Sequence, residues 1–127
     1  MWDEFFRPLE HVEFVPATNI IQTDDEFRVV LALPGYTPDQ LSMDIAGNGL
    51  EIRGKGGSPN DEKEIYLRRE IWQLPFRYRV ELPDRALADG ITAELQGGML
   101  TVRIPLQGKR VIPIQIQNAD KAKSIEA

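Results

Sequence analysis

Hydrophobic residues recur at every second position along much of this chain, and a period of two is typical of β-strands with one buried face. Apolar residues occupy the odd positions of 27–33, a run that ends at Pro34-Gly35. A second alternation covers 41–45, and the clearest one covers 76–82. The pattern therefore predicts several short, half-buried strands.

Glycine-rich turns join two pairs of such runs. Gly47-Asn48-Gly49 follows the run 41–45 and precedes another at 50–53, while Gly97-Gly98 lies between the alternating runs 91–95 and 100–104. Glycine adopts the positive φ angles that tight hairpins need. No segment shows a long helical period. We therefore expect an all-β fold, an antiparallel immunoglobulin-like β-sandwich.

Stretches outside this alternation divide the chain into one domain with two arms. Residues 1–15 are expected to form a short N-terminal arm, 16–106 the sandwich domain, and 107–127 a polar C-terminal extension. Inside the domain, a polar glycine-rich loop over 54–64 precedes one further predicted strand at 65–70. A strand set off by such a loop can reach a second subunit.

Composition limits the classes of function. A chain of 127 residues with 42% hydrophobic content supports one core of ordinary size. The formal charge of −5 argues against a nucleic-acid partner, because that binding depends on clustered lysine and arginine. Without cysteine, the chain has neither disulfides nor a thiolate site. Neither a secretory signal nor a span of membrane length is recognised, so we expect a soluble, cytoplasmic protein.

Candidate catalytic and metal-binding residues are few. His11 is the only histidine, and no nucleophile with an orienting acid lies near it. The acidic run Asp24-Asp25-Glu26 lacks the spacing of a calcium loop, and the glycine-rich stretch 54–58 lacks the spacing of a phosphate-binding loop. We expect a protein that is not an enzyme and that uses no cofactor or metal.

Short motifs follow one another between residues 17 and 116. They are Asp24-Asp25-Glu26-Phe27 with Leu33-Pro34-Gly35, then Tyr66-Leu67-Arg68-Arg69-Glu70, Val80-Glu81-Leu82-Pro83, the set Ala93, Gly98 and Leu100, and finally Ile112-Pro113-Ile114. In this order they resemble the small heat shock proteins, the Hsp20 family built on the α-crystallin domain. The resemblance covers most of the chain and supports the sandwich expected from the strand pattern.

Some positions depart from the family's pattern. Gly97 replaces the asparagine of its Ala-x-x-x-Asn-Gly-x-Leu signature. Tyr78 stands where an interface arginine is common, and the resemblance leaves open whether Arg77 or Arg79 takes that role. The N-terminal arm is short by family standards, so a dimer is implied more firmly than a large shell.

The resemblance implies an ATP-independent chaperone, a holdase that binds partly unfolded client proteins and prevents their aggregation. It implies homodimers formed by strand exchange and higher homo-oligomers held by docking of the tail. The residues implied are Tyr66, Leu67, Arg68 and Arg69 for the dimer strand, Ile112, Pro113 and Ile114 for the tail, Met43, Ile45, Ala93 and Leu95 for the groove that receives it, and Trp2, Phe5 and Phe6 for client contact.

Each of these assignments has a plainer alternative. The tail could be a last strand of its own sheet. If the tail docks, both Ile112 with Ile114 and Ile114 with Ile116 fit as the docked pair, and the first pair is preferred. The groove residues could be ordinary core, and 65–70 could fold back on its own sheet. The aromatic residues of the arm, together with Phe14, could pack on their own domain. Trp72 is interpreted as an anchor at an interface or in the core. Arginines next to acidic residues, Arg68, Arg69, Arg77 and Arg79, indicate ion pairs or solvated side chains.

A second class of function fits the same sandwich. A p23-type co-chaperone, or another adaptor module, would dock one folded partner and need no assembly. The isoleucine tail and the loop with its extra strand favour the chaperone, because a monomeric adaptor needs neither. A secreted adhesion sandwich is less favoured without a signal segment.

Overall fold

Seven strands in two antiparallel sheets form the core of the part of the chain that the structure describes. It is a computed structural model, and it describes residues 14–57, 63–108 and 111–120. The elements in chain order are β1 (Thr18–Gln22), β2 (Glu26–Ala32), the 3-10 helix Pro38–Gln40, β3 (Leu41–Ala46), β4 (Gly49–Gly54), β5 (Phe76–Glu81), the 3-10 helix Ala88–Gly90, β6 (Thr92–Gln96) and β7 (Met99–Pro105).

The strands divide into one sheet of four and one of three. The four-stranded sheet has the order β1-β2-β7-β6, and the three-stranded sheet has the order β3-β4-β5. At the centre of the first, Val29 lies opposite Val102. At the centre of the second, Ile52 lies opposite both Met43 and Tyr78. The order leaves β1 and β6 at the edges of the first sheet and β3 and β5 at the edges of the second.

Two glycine turns close the hairpins as expected from the sequence. Gly47 has a φ of 63° in the β3–β4 turn, and Gly97 and Gly98 have φ angles of 58° and 75° in the β6–β7 turn. Gly49 lies in β4 and has no positive φ; a Cβ at this position would come within 2.3 Å of the guanidinium of Arg79. Gly47 therefore provides the backbone conformation of the β3–β4 turn, and Gly49 leaves room for the side chain of Arg79.

The core lies between the sheets, and most of its residues belong to the alternating runs of the sequence. Val29, Leu31, Ile52, Val102 and Ile104 are fully buried. The remaining buried hydrophobic residues are Phe27, Leu33, Tyr36, Leu50, Phe76, Leu100 and Leu106. A side chain of this size contributes about 1.5–3 kcal/mol when it is removed from water. This shared core stabilises the sandwich.

The all-β fold and the predicted strands are confirmed, with two exceptions. β1 was not predicted, although it pairs with β2 over five residue pairs from Thr18 to Gln22. The residues 65–70 join neither sheet, so the alternative in which this segment folds back on its own sheet is wrong for the described residues, and the dimer strand stays a prediction. A strand exists only when its backbone groups have a partner, and no edge of the same subunit supplies one here.

The contacts at the two ends of the predicted domain bear on its boundaries. Leu106, which the prediction places last in the domain, is buried and bridges to Ala86. Phe14, which it assigns to the N-terminal arm, packs edge to face on Phe76 with ring centroids 6.3 Å apart. The division at residues 15 and 107 stays a prediction.

Candidate assembly surfaces

An apolar cleft opens between the edge strands of the two sheets. Leu41 and Met43 of β3 form one wall, and Ala93 and Leu95 of β6 form the other. Core residues Ile52 and Leu100 lie at its base, and the cleft encloses about 230 Å³. Both walls belong to strands that pair on one side only within the described residues. The cleft therefore offers apolar contacts together with unpaired backbone groups.

The structure brings together most of the groove residues predicted from the sequence. Met43, Ala93 and Leu95 line the cleft, whereas Ile45 lies beyond it and is 42% exposed. The sequence prediction missed Leu41. Alternation contained the signal for that residue, because Leu41 precedes Met43 by two positions and faces the same side. Three of the four predicted residues thus line one cleft, Leu41 takes the place of Ile45 on β3, and the role of the cleft as a receiving groove stays a prediction.

The 3-10 helix Pro38–Gln40 lies beside one end of this cleft. Its Pro38 also lines the cleft. Thr37 and Gln40 form a capping box at the N-terminal end of this helix. The hydrogen bond from the Thr37 hydroxyl to the carboxylate of Asp39 lowers the pKa of Asp39. This end of the cleft is therefore bordered by a capped turn.

Residues 63–75, here called the apolar loop, project from the sandwich. They contain the predicted dimer strand of Tyr66, Leu67, Arg68 and Arg69, none of which is buried. Leu67 is 98% exposed. The other large exposed hydrophobic residues of the loop are Ile65, Tyr66, Ile71, Trp72 and Leu74. This density of exposed apolar residues in one short segment is unusual for a surface that faces only water.

Three side chains of the apolar loop stack on one another. The guanidinium carbon of Arg69 lies 4.5 Å from the ring centroid of Tyr66 and 4.0 Å from that of Trp72. The indole Nε1 of Trp72 donates a hydrogen bond to the backbone oxygen of Arg69 at 3.2 Å. Trp72 is thus a local anchor for Arg69, and it is not part of the core. The stack limits the conformations of a segment that has no strand partner.

Hydrogen bonds fix the base of the apolar loop to the sandwich. The amide of Gly57 donates to the backbone oxygen of Gln73 at 2.7 Å, and Nε2 of Gln73 donates to the backbone oxygen of Pro34 at 3.3 Å. The hydroxyl of Tyr36 donates to the backbone oxygen of Leu74, and burial raises the pKa of Tyr36. The C-terminal end of the apolar loop is therefore held against the sandwich.

The C-terminal tail lies against neither sheet. Residues 111–118 form no strand, and Ile112, Ile114 and Ile116 are all exposed, Ile116 to 96%. The alternative in which the tail is a last strand of its own sheet is therefore wrong for the described residues. Pro113 favours an extended backbone at its own position and at the residue before it. The tail presents its isoleucines to solvent.

The outer face of the three-stranded sheet bears a network of ion pairs. Nη1 of Arg53 lies 2.9 Å from the carboxylate of Glu51, and Nε of Arg77 lies 3.3 Å from the same carboxylate. The hydrogen bond from Arg53 to Glu51 raises the pKa of the Arg53 guanidinium, and the hydrogen bond from Arg53 to Asp44 raises it further. Arg79 pairs with Glu81 at 3.1 Å. These arginines are paired with acids, as expected for Arg77 and Arg79.

Tyr78 stands on β5 at the position where the family that the sequence resembles commonly has an interface arginine. Tyr78 alternates with its two arginine neighbours, is half-buried and packs against the core. Arg77 and Arg79 therefore point to the opposite face of β5, toward Glu51 and Glu81 respectively. Both make their ion pairs within their own sheet. Which of them acts at an interface stays open.

The acidic run near the start of β2 forms a structured turn. The amide of Asp25 donates to the hydroxyl of Thr23 at 3.3 Å, and the carboxylate of Glu26 accepts two hydrogen bonds from Arg103, both at 3.1 Å. No cluster of three potential metal ligands occurs among the described residues. In the same part of the chain, no helix has the length and apolar character to cross a membrane.

Several sequence predictions fall on residues that the structure does not describe. Trp2, Phe5 and Phe6, proposed for client contact, lie outside the described ranges, and so does His11. Part of the polar loop, residues 58–62, lies outside them as well. The client-contact assignment therefore stays a prediction.

Comparison with known proteins gives one consistent result. Residues 19–117 match the Hsp20/alpha crystallin family. A crystal structure of a small heat-shock protein from Xylella fastidiosa is similar, with a TM-score of 0.69 and 30% identity over 84% of this chain and 98% of that one. The structure of hspA from Xanthomonas axonopodis gives a TM-score of 0.64 and 35% identity over 76% of this chain and 97% of that one.

Curated relatives are similar in sequence over a shorter part of their own length. Small heat shock protein C4 of Rickettsia felis is 30% identical over 91 residues, which is 71% of this chain and 56% of the relative. Small heat shock protein C2 of the same organism is 31% identical over 75% of this chain and 64% of the relative. This chain therefore spans between half and two thirds of these two proteins.

Proposed function

This chain belongs to the Hsp20/alpha crystallin family, and on that basis we propose that it is an ATP-independent holdase that binds partly unfolded proteins and prevents their aggregation. The observation that carries the proposal is the combination of open strand edges with exposed apolar segments in one small domain. Such surfaces bind extended chain through main-chain hydrogen bonds and apolar contacts. Preferential binding of non-native chains opposes aggregation by mass action and needs no nucleotide.

The dimer proposed here forms by exchange of the apolar loop. Residues 65–70 of one subunit would add a strand to the four-stranded sheet of a second copy, with Tyr66 to Arg69 at the contact. Edge strand β1 is the best receiver, because β3 and β6 border the cleft and β5 continues directly from the loop itself. Its Ile20 is 48% exposed, which leaves an apolar side chain for the incoming strand.

Higher assembly in this proposal depends on the tail. The isoleucines of one chain would enter the cleft between β3 and β6 of a second copy, and the extended tail would hydrogen-bond to an open edge. Proline reduces the conformational freedom that the tail loses on binding, which improves affinity. A docked tail covers the cleft, and its release exposes apolar surface for a client.

The holdase activity is tested by light scattering of a client protein that aggregates on heating or on reduction. We expect the full chain, in stoichiometric excess, to suppress scattering equally with and without ATP. An inert protein at the same mass concentration controls for crowding. Unchanged client scattering in the presence of the chain would refute the holdase proposal.

Assembly is tested separately by light-scattering mass on a sizing column. The parent chain is compared with a variant that carries both Ile112→Ala and Ile114→Ala. We expect the parent to be larger than a dimer and the variant to be a dimer. A monomeric parent would rule out strand exchange and would favour an adaptor that docks one folded partner.

A further inference from the structure

The tail offers one more anchor than a two-residue docking motif requires. Ile112, Ile114 and Ile116 occupy three successive alternate positions, and all are exposed. In an extended chain, alternate side chains point to the same side and lie about 6.8 Å apart. The three isoleucines therefore form one apolar strip of about 14 Å.

The cleft offers two inward positions along each wall. Leu41 and Met43 are two residues apart on β3, and Ala93 and Leu95 are two residues apart on β6. Both walls thus repeat at the same spacing of about 6.8 Å as the tail. The next inward residue of β3, Ile45, does not line the cleft. The cleft matches two adjacent isoleucines, and the third has no corresponding position.

The sequence between the isoleucines does not distinguish one pair from the other. Pro113 separates the first pair and Gln115 separates the second, and residues 111–117 carry no charged side chain. Neither pair therefore brings a charge into the apolar cleft. Ile114 belongs to both pairs.

We propose that the tail of a second copy of this chain docks in two alternative registers, anchored by Ile112 with Ile114 or by Ile114 with Ile116. This inference rests on the tail docking proposed above. The two registers are shifted by one residue pair, and the remaining isoleucine stays outside the cleft. The tail thus keeps one complete pair of anchoring isoleucines when either outer isoleucine is lost.

Two registers give a characteristic pattern of affinities. Loss of Ile112 or of Ile116 removes one of two comparable bound states, so affinity falls only about two-fold. Loss of Ile114 removes an anchor from both registers, and the burial lost corresponds to about ten-fold or more. Loss of both outer residues also damages both registers, so it costs about ten-fold or more and exceeds the four-fold product expected from independent sites.

The test uses fluorescent peptides that cover residues 109–118, titrated by anisotropy onto the full chain. The chain itself carries Ile112→Ala, Ile114→Ala and Ile116→Ala, so that its own tail does not compete. All three side chains are exposed, so we expect the sandwich to be retained, and circular dichroism of this variant is the check. The peptides are the parent, each single alanine variant and the double variant at 112 and 116. Val111→Ala is the matched control, because Val111 is exposed and lies on the opposite side of an extended tail.

The outcomes separate the inference from the docking on which it rests. Small losses for both outer variants with a large loss for Ile114→Ala and for the double variant support two registers. A ten-fold loss of affinity from only one of the two outer variants shows a single register. A ten-fold loss from all three single variants shows that three anchors bind at once. Either result overturns the inference and leaves docking intact. A parent peptide that does not bind refutes cleft docking and the inference together, while the client assay judges the holdase activity independently.

Discussion

The sandwich and the two projecting segments use the same kind of residue with opposite outcomes. In the sandwich, alternating residues such as Val29 and Ile52 are fully buried between the sheets. In the apolar loop and the tail, by contrast, Leu67 is 98% exposed and Ile114 is 85% exposed. Apolar alternation therefore shows that a segment can cover a surface, and it does not show that the surface belongs to the same chain.

This difference separates stability from assembly. The core residues contact one another within one subunit, so their loss should lower the free energy of unfolding. The exposed side chains of the loop and tail, such as Leu67 and Ile114, lie outside the buried core, so their loss should change the mass of the assembly and leave the sandwich folded. Each prediction below tests whether the two properties are independent.

The largest expected effect lies in the core. Ile52→Ala removes a fully buried side chain from the central strand of the three-stranded sheet. We expect the free energy of unfolding to fall by about 2–5 kcal/mol, because transfer and cavity costs add. The total for a domain is about 5–15 kcal/mol, so the loss is severe. Urea denaturation followed by circular dichroism measures it.

The matched control for this core variant is Ile114→Ala, which truncates the same type of residue in the tail. At a protein concentration too low for assembly beyond the dimer, its unfolding midpoint should stay within error of the parent, because tail docking then adds nothing to the stability of the folded state. Equal midpoints for Ile52→Ala and the parent would contradict the placement of the stability in the core.

The next effect concerns the proposed dimer. Leu67→Asp places a charge at the most exposed apolar position of the loop. We expect the dimer dissociation constant to rise about a hundred-fold. The proposed dimer would lose a leucine that it buries, and the carboxylate in its place would have to be desolvated. Light-scattering mass over a dilution series measures the change.

Leu87→Asp is the control for Leu67→Asp, since Leu87 is also exposed but lies outside the apolar loop. It should leave the dissociation constant unchanged. If both variants dissociate equally, the effect is one of net charge, and the loop is not the dimer contact.

The strands of the core could be predicted from the sequence because each one alternates and has its partners in the same chain. β1 was missed since its adjacent apolar pair Ile20-Ile21 interrupts the period of two. The groove prediction found both walls but could not fix where the cleft ends along β3. That boundary depends on how the edges of the two sheets separate, which a linear pattern does not encode.

Residues outside the strands were harder to predict for a different reason. The bond from Gln73 to Pro34 joins residues 39 positions apart and depends on the finished fold. The segment 65–70, predicted as a dimer strand, joins neither sheet of its own chain, and the strand it is proposed to form needs a second molecule. The resemblance to a family suggested that partner, whereas the physics of a single chain did not.

A moderate effect is expected at the β6–β7 turn, where two glycines with positive φ have different surroundings. A Cβ at Gly98 would lie 3.3 Å from the Cα of Pro34, whereas a Cβ at Gly97 would meet nothing within 4 Å. Asparagine tolerates this backbone region better than other non-glycine residues. We expect Gly98→Asn to cost about 1–2 kcal/mol and Gly97→Asn to stay within about 0.5 kcal/mol of the parent.

These two variants control for each other, because the substitution and the hairpin are the same. Urea denaturation of both measures the difference. Equal losses would show that backbone strain alone decides the cost and that the approach of Pro34 has no effect. The family's usual asparagine at position 97 is consistent with the open space found there.

The smallest effect tests whether the apolar loop is organised before it meets a partner. Trp72→Leu keeps an apolar side chain but removes the ring that stacks on Arg69 and the indole donor to its backbone oxygen. An exposed cation–π contact is worth about 0.5–1 kcal/mol, so we expect the dimer dissociation constant to rise about three- to five-fold. Tyr66→Phe retains its aromatic face and should leave the constant unchanged. An unchanged constant for Trp72→Leu would mean that the stack does not prepare the loop for binding, and a lower unfolding midpoint in the monomer would assign Trp72 to the stability of the sandwich.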